Sequence, residues 1–118
     1  MEHYFTPDEK RQQLRQLIAA LTDLVPVLAV TPGYEGHVAA FETVLDQAER
    51  ALVEGFDQAK LSDLAGAVPR LFHPRWEPPL EQLADGRWQE PDWYQALAAK
   101  LDPVLKAADA LRTVGYRT

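Results

Sequence analysis

Cysteine is missing from this chain, and serine occurs once, at Ser62. The first absence excludes disulfides, thiolate nucleophiles and zinc sites with cysteine ligands. It also fits a reducing compartment. Ser62 lacks the Gly-x-Ser-x-Gly surroundings of a nucleophile elbow and reads as a polar or capping residue early in a helix. Histidine is sparse. His3, His37 and His73 show no His-x-x-x-His spacing, and neither internal histidine follows a glutamate by three residues. That removes the usual zinc and di-iron patterns. The six glycines are scattered and form no phosphate-binding loop. The chain opens without a basic region followed by an apolar run. The longest uncharged stretch, Leu24 to Tyr34, is about half of what a bilayer requires. These absences together predict a cytoplasmic protein with no membrane span, no metal site, no cofactor and no catalytic set.

What is present is ordinary for one globular domain. The 118 residues are 47% apolar and 25% charged, enough to bury a core without staples. The net charge is −6, with eleven acidic and six basic side chains in residues 1–72 against seven and six in residues 73–118. A phosphate backbone repels that balance, so nucleic acid is not an expected partner. A basic protein surface is favoured instead.

Helical signals dominate. Thr6-Pro7-Asp8-Glu9 has the spacing of a capping box with proline at the first helical position. Leu14, Leu17, Ile18, Leu21, Leu24, Val25 and Leu28 follow at helical spacing, interrupted by Pro26, which either kinks or ends the helix. A second helix is expected from about Gly36 to Glu54 on Val38, Phe41, Val44, Leu45, Ala48 and Leu52. Gly55 would be its left-handed cap, with Phe56 packing back. Asp57 should cap a shorter third helix that Pro69 ends or bends. The last helix starts near Pro91-Asp92 and carries the stripe Trp93, Leu97, Leu101, Val104, Leu105, Ala108 and Leu111 through Pro103, which again bends or divides it. Gly115 closes it, leaving a short tail, and no strand is convincing.

The expected fold is therefore all-α: one domain, residues 1–118, a small antiparallel bundle of four main helices. Two of these carry internal prolines, and a long Pro/Trp-rich crossover precedes the last helix. The crossover holds Trp76, Trp88 and Trp93, every tryptophan in the chain, with Pro74, Pro78, Pro79 and Pro91. Within it, Pro78 to Gly86 fits a short helix better than a hairpin turned at Asp85-Gly86, because its flanks do not alternate.

Two constellations stand out. Glu42, Asp46 and Glu49 share one side of the second helix. Carboxylates so spaced hold a divalent metal or divide acid and base roles, or simply form a solvated face. Arg75-Trp76 and Arg87-Trp88 pair the residue types that dominate interface hot spots. The same tryptophans also suit structural pins for the crossover. Trp93, in the stripe, is expected in the core.

No family motif maps onto the chain residue by residue. In architecture and charge alone it resembles bacterial immunity proteins and helical adaptors. The leading expectation is a non-catalytic protein-interaction module with a protein partner or a second copy. Its surface would comprise Glu42, Asp46, Glu49, Arg75, Trp76, Arg87 and Trp88. The alternatives are a metal-dependent hydrolase using the second-helix carboxylates, and a bundle that binds a small apolar ligand under the crossover.

Overall fold

The structure, a computed structural model, describes residues 2–71 and 80–117, with side chains from 4 to 115 within that range. Its elements in chain order are β1 (Glu2–Tyr4), α1 (Pro7–Val30), a single 3₁₀ turn (Glu35–His37), α2 (Val38–Glu54), α3 (Gln58–Ala67), β2 (Glu81–Gln82), β3 (Trp88–Gln89), α4 (Asp92–Arg112) and β4 (Gly115–Arg117). It is a small all-α bundle with two two-stranded ribbons attached.

Helix α1 begins as its sequence dictates. The Thr6 hydroxyl accepts from the Glu9 N–H, and the Glu9 carboxylate accepts from the Thr6 N–H, both at 3.1 Å. Its stripe is the centre of the core: Leu14, Leu17, Leu21, Leu24 and Leu28 are all fully buried. Pro26 does not stop it. The ring removes one donor, and the carbonyl left without it belongs to Thr22, which is exposed to water. Pro103 sits in α4 in the same way, opposite the exposed Ala99, and α4 runs on unbroken to Arg112. By length and composition α1 is apolar enough to cross a bilayer. A core helix passes the same test, and here the leucine stripe is covered by α2 and α4.

The other helices pack around it. Phe41, Val44, Ala48 and Ala51 from α2, Leu61, Leu64 and Ala65 from α3, and Leu97, Leu101, Val104, Ala108 and Leu111 from α4 complete one cluster. Asp57 caps α3, its carboxylate accepting from the Lys60 N–H at 2.8 Å. That helix stops at Ala67 because Val68, before Pro69, is extended. Gly55 ends α2 at φ 104°, which favours glycine, but with ψ 163° rather than the helical ψ of a left-handed cap. Phe56 does pack back on the core.

Several sequence expectations are corrected. The second helix starts at Val38, since residues 35–37 form the 3₁₀ turn. Gly115 does not cap α4; it opens β4, which pairs antiparallel with β1 in the register Glu2↔Arg117, His3↔Tyr116, Tyr4↔Gly115. The two ends of the chain are thus paired strands, not tails. The short helix expected at 78–86 is also wrong for its described part: residues 81–89 form a hairpin. Pro78, Pro79 and the rest of 72–79 lie outside the described residues.

The ends of the helices meet at Lys10. This lysine is 5% exposed, although it lies among charged neighbours in the first turns of α1. Its ammonium donates to the carbonyls of Ala110 at 3.1 Å, Leu111 at 3.2 Å and Thr113. It also sits 4.9 Å from the centre of the Phe5 ring. The last carbonyls of a helix have no partner within it and carry the negative end of its dipole, so a buried cation there satisfies both. Gln58 from α3 adds a second donor to Leu111 O at 2.8 Å, and Arg112 reaches back to Ala65 O at 3.2 Å. The start of α1, the start of α3 and the end of α4 are locked together, which makes α1 and α4 antiparallel. Burial pulls the Lys10 amine below the ordinary lysine value.

Candidate interaction surface

The opposite end of the bundle carries the exposed tryptophans Trp88 and Trp93, and the hairpin is its most prominent part. Gly86 N–H donates to Leu83 O at 2.9 Å, and Leu83 N–H donates to Arg87 O at 2.7 Å. Gly86 closes the turn at φ 87°, a conformation that side chains resist. The Asp85 carboxylate accepts from the Arg87 N–H at 3.0 Å and from its Nε at 2.6 Å. The ladder is two pairs long, Glu81↔Gln89 and Gln82↔Trp88. A ribbon this short needs its turn to hold it. Its substantial contacts among the described residues are with itself and not with the helices. Trp88 is therefore 62% exposed, and Leu80, just before β2, is 57% exposed.

At the base of the hairpin the links between helices bring aromatic rings together. Tyr34, in the α1–α2 connection, lies 5.7 Å from Trp93 in the first turn of α4, and 5.9 Å from His37. Trp93 and Tyr94 meet edge-on at 6.0 Å. Trp93 is not a core residue as its place in the stripe suggested. It is 37% exposed, because it precedes Leu97, the first buried member of the α4 stripe, by a full turn. The neighbours that would cover it are loop residues. Tyr94 is half-buried, and its hydroxyl is pushed above the ordinary tyrosine value by burial first, then by the Glu90 carboxylate and by Tyr34.

Other candidates fall elsewhere. Glu42, Asp46 and Glu49 lie exposed on the outer side of α2, and Asp46 pairs with Arg50 of the same helix at 3.2 Å. Among the described residues no three acidic or histidine side chains come close enough to hold a metal ion. Arg87 is spent largely on Asp85. Arg75 and Trp76, with His73, lie outside the described residues. Ser62 is half-buried and accepts from Gln58 Nε2 at 3.1 Å, a helix-surface role. Two clefts lie toward the Lys10 end: one of about 450 Å³ lined by Ala51, Glu54, Gly55, Phe56, Asp57 and Lys60, and one of about 200 Å³ lined by Phe5, Pro7, Lys10, Phe56, Asp57, Gln58 and Leu61. Only the first has the volume of an ordinary ligand site, its lining is largely polar or charged, and Trp88 lines neither.

Comparison with protein-family models, with curated proteins and with solved structures gave no match. The reading of this surface rests on its own chemistry.

Sequence reasoning missed two features. Lys10 was legible: it falls four residues before Leu14 and in phase with Leu17, so it lies on the buried stripe. The grouping of Tyr34 and His37 with Trp93 had no local signal, since it depends on how the α1–α2 link meets the start of α4.

Proposed function

We propose that this chain is a protein-interaction module. It recognises its partner through the hairpin and the aromatic end beneath it. The observation that carries the proposal is Trp88, 62% exposed on a hairpin that stands clear of the helices. An exposed indole on a well-formed ribbon contributes nothing to the core, and tryptophan is among the residues most enriched in interface hot spots. Leu80 beside it and Trp93 and Tyr34 below extend the apolar area. The exposed carboxylates Glu42, Asp46 and Glu49 on α2 add long-range attraction for a basic partner instead of a docking patch.

The test is capture from native lysate together with light scattering, comparing the wild-type chain with Trp88→Ala. The proposal expects a specific partner, or a second copy, that Trp88→Ala loses while its helical circular dichroism is unchanged. A monomer that recovers the same proteins with and without the indole overturns it.

A further inference from the structure

The aromatic end is flanked by acids, and the distribution of charge there says what it takes. Residues 31–37 and 80–95 make up a fifth of the chain yet hold Glu35, Glu81, Asp85, Glu90 and Asp92, with Arg87 as their sole Lys or Arg. Arg87 is tied to Asp85 at 2.6 Å. Four carboxylates are left, matching four of the net six negative charges. Elsewhere among the described residues four acids have basic neighbours: Asp8 with Arg11, Asp46 with Arg50, Asp102 with Lys106 and Asp109 with Arg70. Others, among them Glu42, Glu49 and Glu54 on α2, have none among the described residues but lie away from exposed tryptophan. Glu35, Glu81, Glu90 and Asp92 have no ion pair among the described residues. Two of them lie close to Trp93 in the chain, Asp92 immediately before it and Glu90 three residues before, at the start of α4. Asp92 also offsets the positive end of the α4 dipole, so that end does not repel a cation.

Indole and phenol faces attract cations, and arginine stacks on them while its guanidinium reaches carboxylates at the side. An apolar partner would gain from the rings and nothing from the acids. A phosphate or an acidic peptide would be repelled. We infer that the partner presents a basic segment and that an arginine or lysine of it lies over Trp93, among Glu35, Glu90 and Asp92. The inference rests on the interaction reading above and specifies its occupant.

A fluorescently labelled peptide of alternating arginine and glycine tests it by anisotropy. The same peptide with citrulline for arginine keeps the shape and loses the charge. Binding of the arginine peptide is expected to weaken as salt is raised, and the citrulline peptide is expected not to bind. Trp93→Ala should weaken binding about two- to fivefold, the worth of one exposed cation–aromatic contact. Glu90→Gln with Asp92→Asn, one half-buried and one exposed, should weaken it comparably, with circular dichroism showing that the helices are retained. Glu42→Gln with Glu49→Gln, which removes only long-range attraction, should weaken it less than the Glu90 and Asp92 pair does. Equal binding of both peptides, lost in Trp88→Ala and Trp93→Ala, overturns the cation and leaves an apolar interaction surface standing. Equal loss from the α2 pair overturns it in favour of diffuse attraction. Binding of neither peptide overturns it outright, while the wider reading is judged separately by the capture and scattering comparison.

Discussion

Lys10→Met isolates the lock between α1 and α4. Methionine keeps an unbranched apolar stem of similar length in the buried path and removes only the ammonium. Three carbonyls, of Ala110, Leu111 and Thr113, then lose their donor. Leu111 O keeps Gln58 and Ala110 O keeps the Thr113 N–H, so only the Thr113 carbonyl is stranded outright. Each stranded acceptor costs about 1–3 kcal/mol when water cannot replace the donor. With one acceptor stranded the total is about 1–3 kcal/mol. For a domain of this size that is roughly 4–12 °C in Tm. The assay is urea unfolding followed by circular dichroism, with the thermal midpoint alongside. A pH series adds an independent check of sign. Burial lowers the amine below its unfolded value. The charged form therefore carries a penalty that is fully present below the lowered value and is relieved as pH rises from there toward the unfolded one, where the unfolded chain binds more protons. The wild-type advantage over Lys10→Met should accordingly grow across that alkaline window. The penalty compares charged with neutral amine, whereas the substitution compares amine with none, so the two effects do not conflict. A change under about 0.5 kcal/mol, typical of an ordinary surface substitution, would show that Lys10 is not a cap and refute the reasoning.

Two further changes test local elements. Thr6→Ala removes the hydroxyl that accepts from the Glu9 N–H and should destabilise the chain by about 1 kcal/mol, read from the shift in urea midpoint; a midpoint equal to wild type would mean the capping box adds nothing. Gly86→Ala meets no atom within 4 Å but must adopt φ 87°, a strain of about 1–2 kcal/mol. Because the hairpin rests on itself, cross-strand proton contacts between Gln82 and Trp88 should fade while the urea midpoint of the bundle stays put, and a joint loss of both would contradict its independence.

How much of this was readable before the fold was known follows the range of each signal. The capping box at Thr6, the cap at Asp57, the stop at Pro69 and the leucine stripe of α1 depend on residues within a turn or two. They emerged as expected. Continuity through Pro26 and Pro103 was open, since it depends on whether the freed carbonyl faces water. The hairpin was misread because two-residue strands are too short to alternate, so Asp85-Gly86 was the only evidence for it. The pairing of residues 2–4 with 115–117 joins opposite ends of the chain and leaves no mark in either stretch. Trp93 kept the period of a core stripe, but period says nothing about where along a helix the cover ends. On the surface, Arg87 and Trp88 were named by type alone; that the arginine is held by Asp85 while the indole is bare required the turn geometry. The acids Glu35, Glu90 and Asp92 drew no notice because they are far apart in sequence or masked by proline-rich surroundings.

The pairing of β1 with β4 has a mechanical consequence. Glu2 lies opposite Arg117, so the two chain ends leave the ribbon on the same side. A pull applied through them opens the pairs one at a time, from Glu2 and Arg117 inward to Tyr4 and Gly115, and never loads them together. The force then meets the Phe5 N–H bond to Val114 O and, behind it at the start of α1 and the end of α4, Lys10. Stretched from its ends, the molecule is a zipper with one clasp.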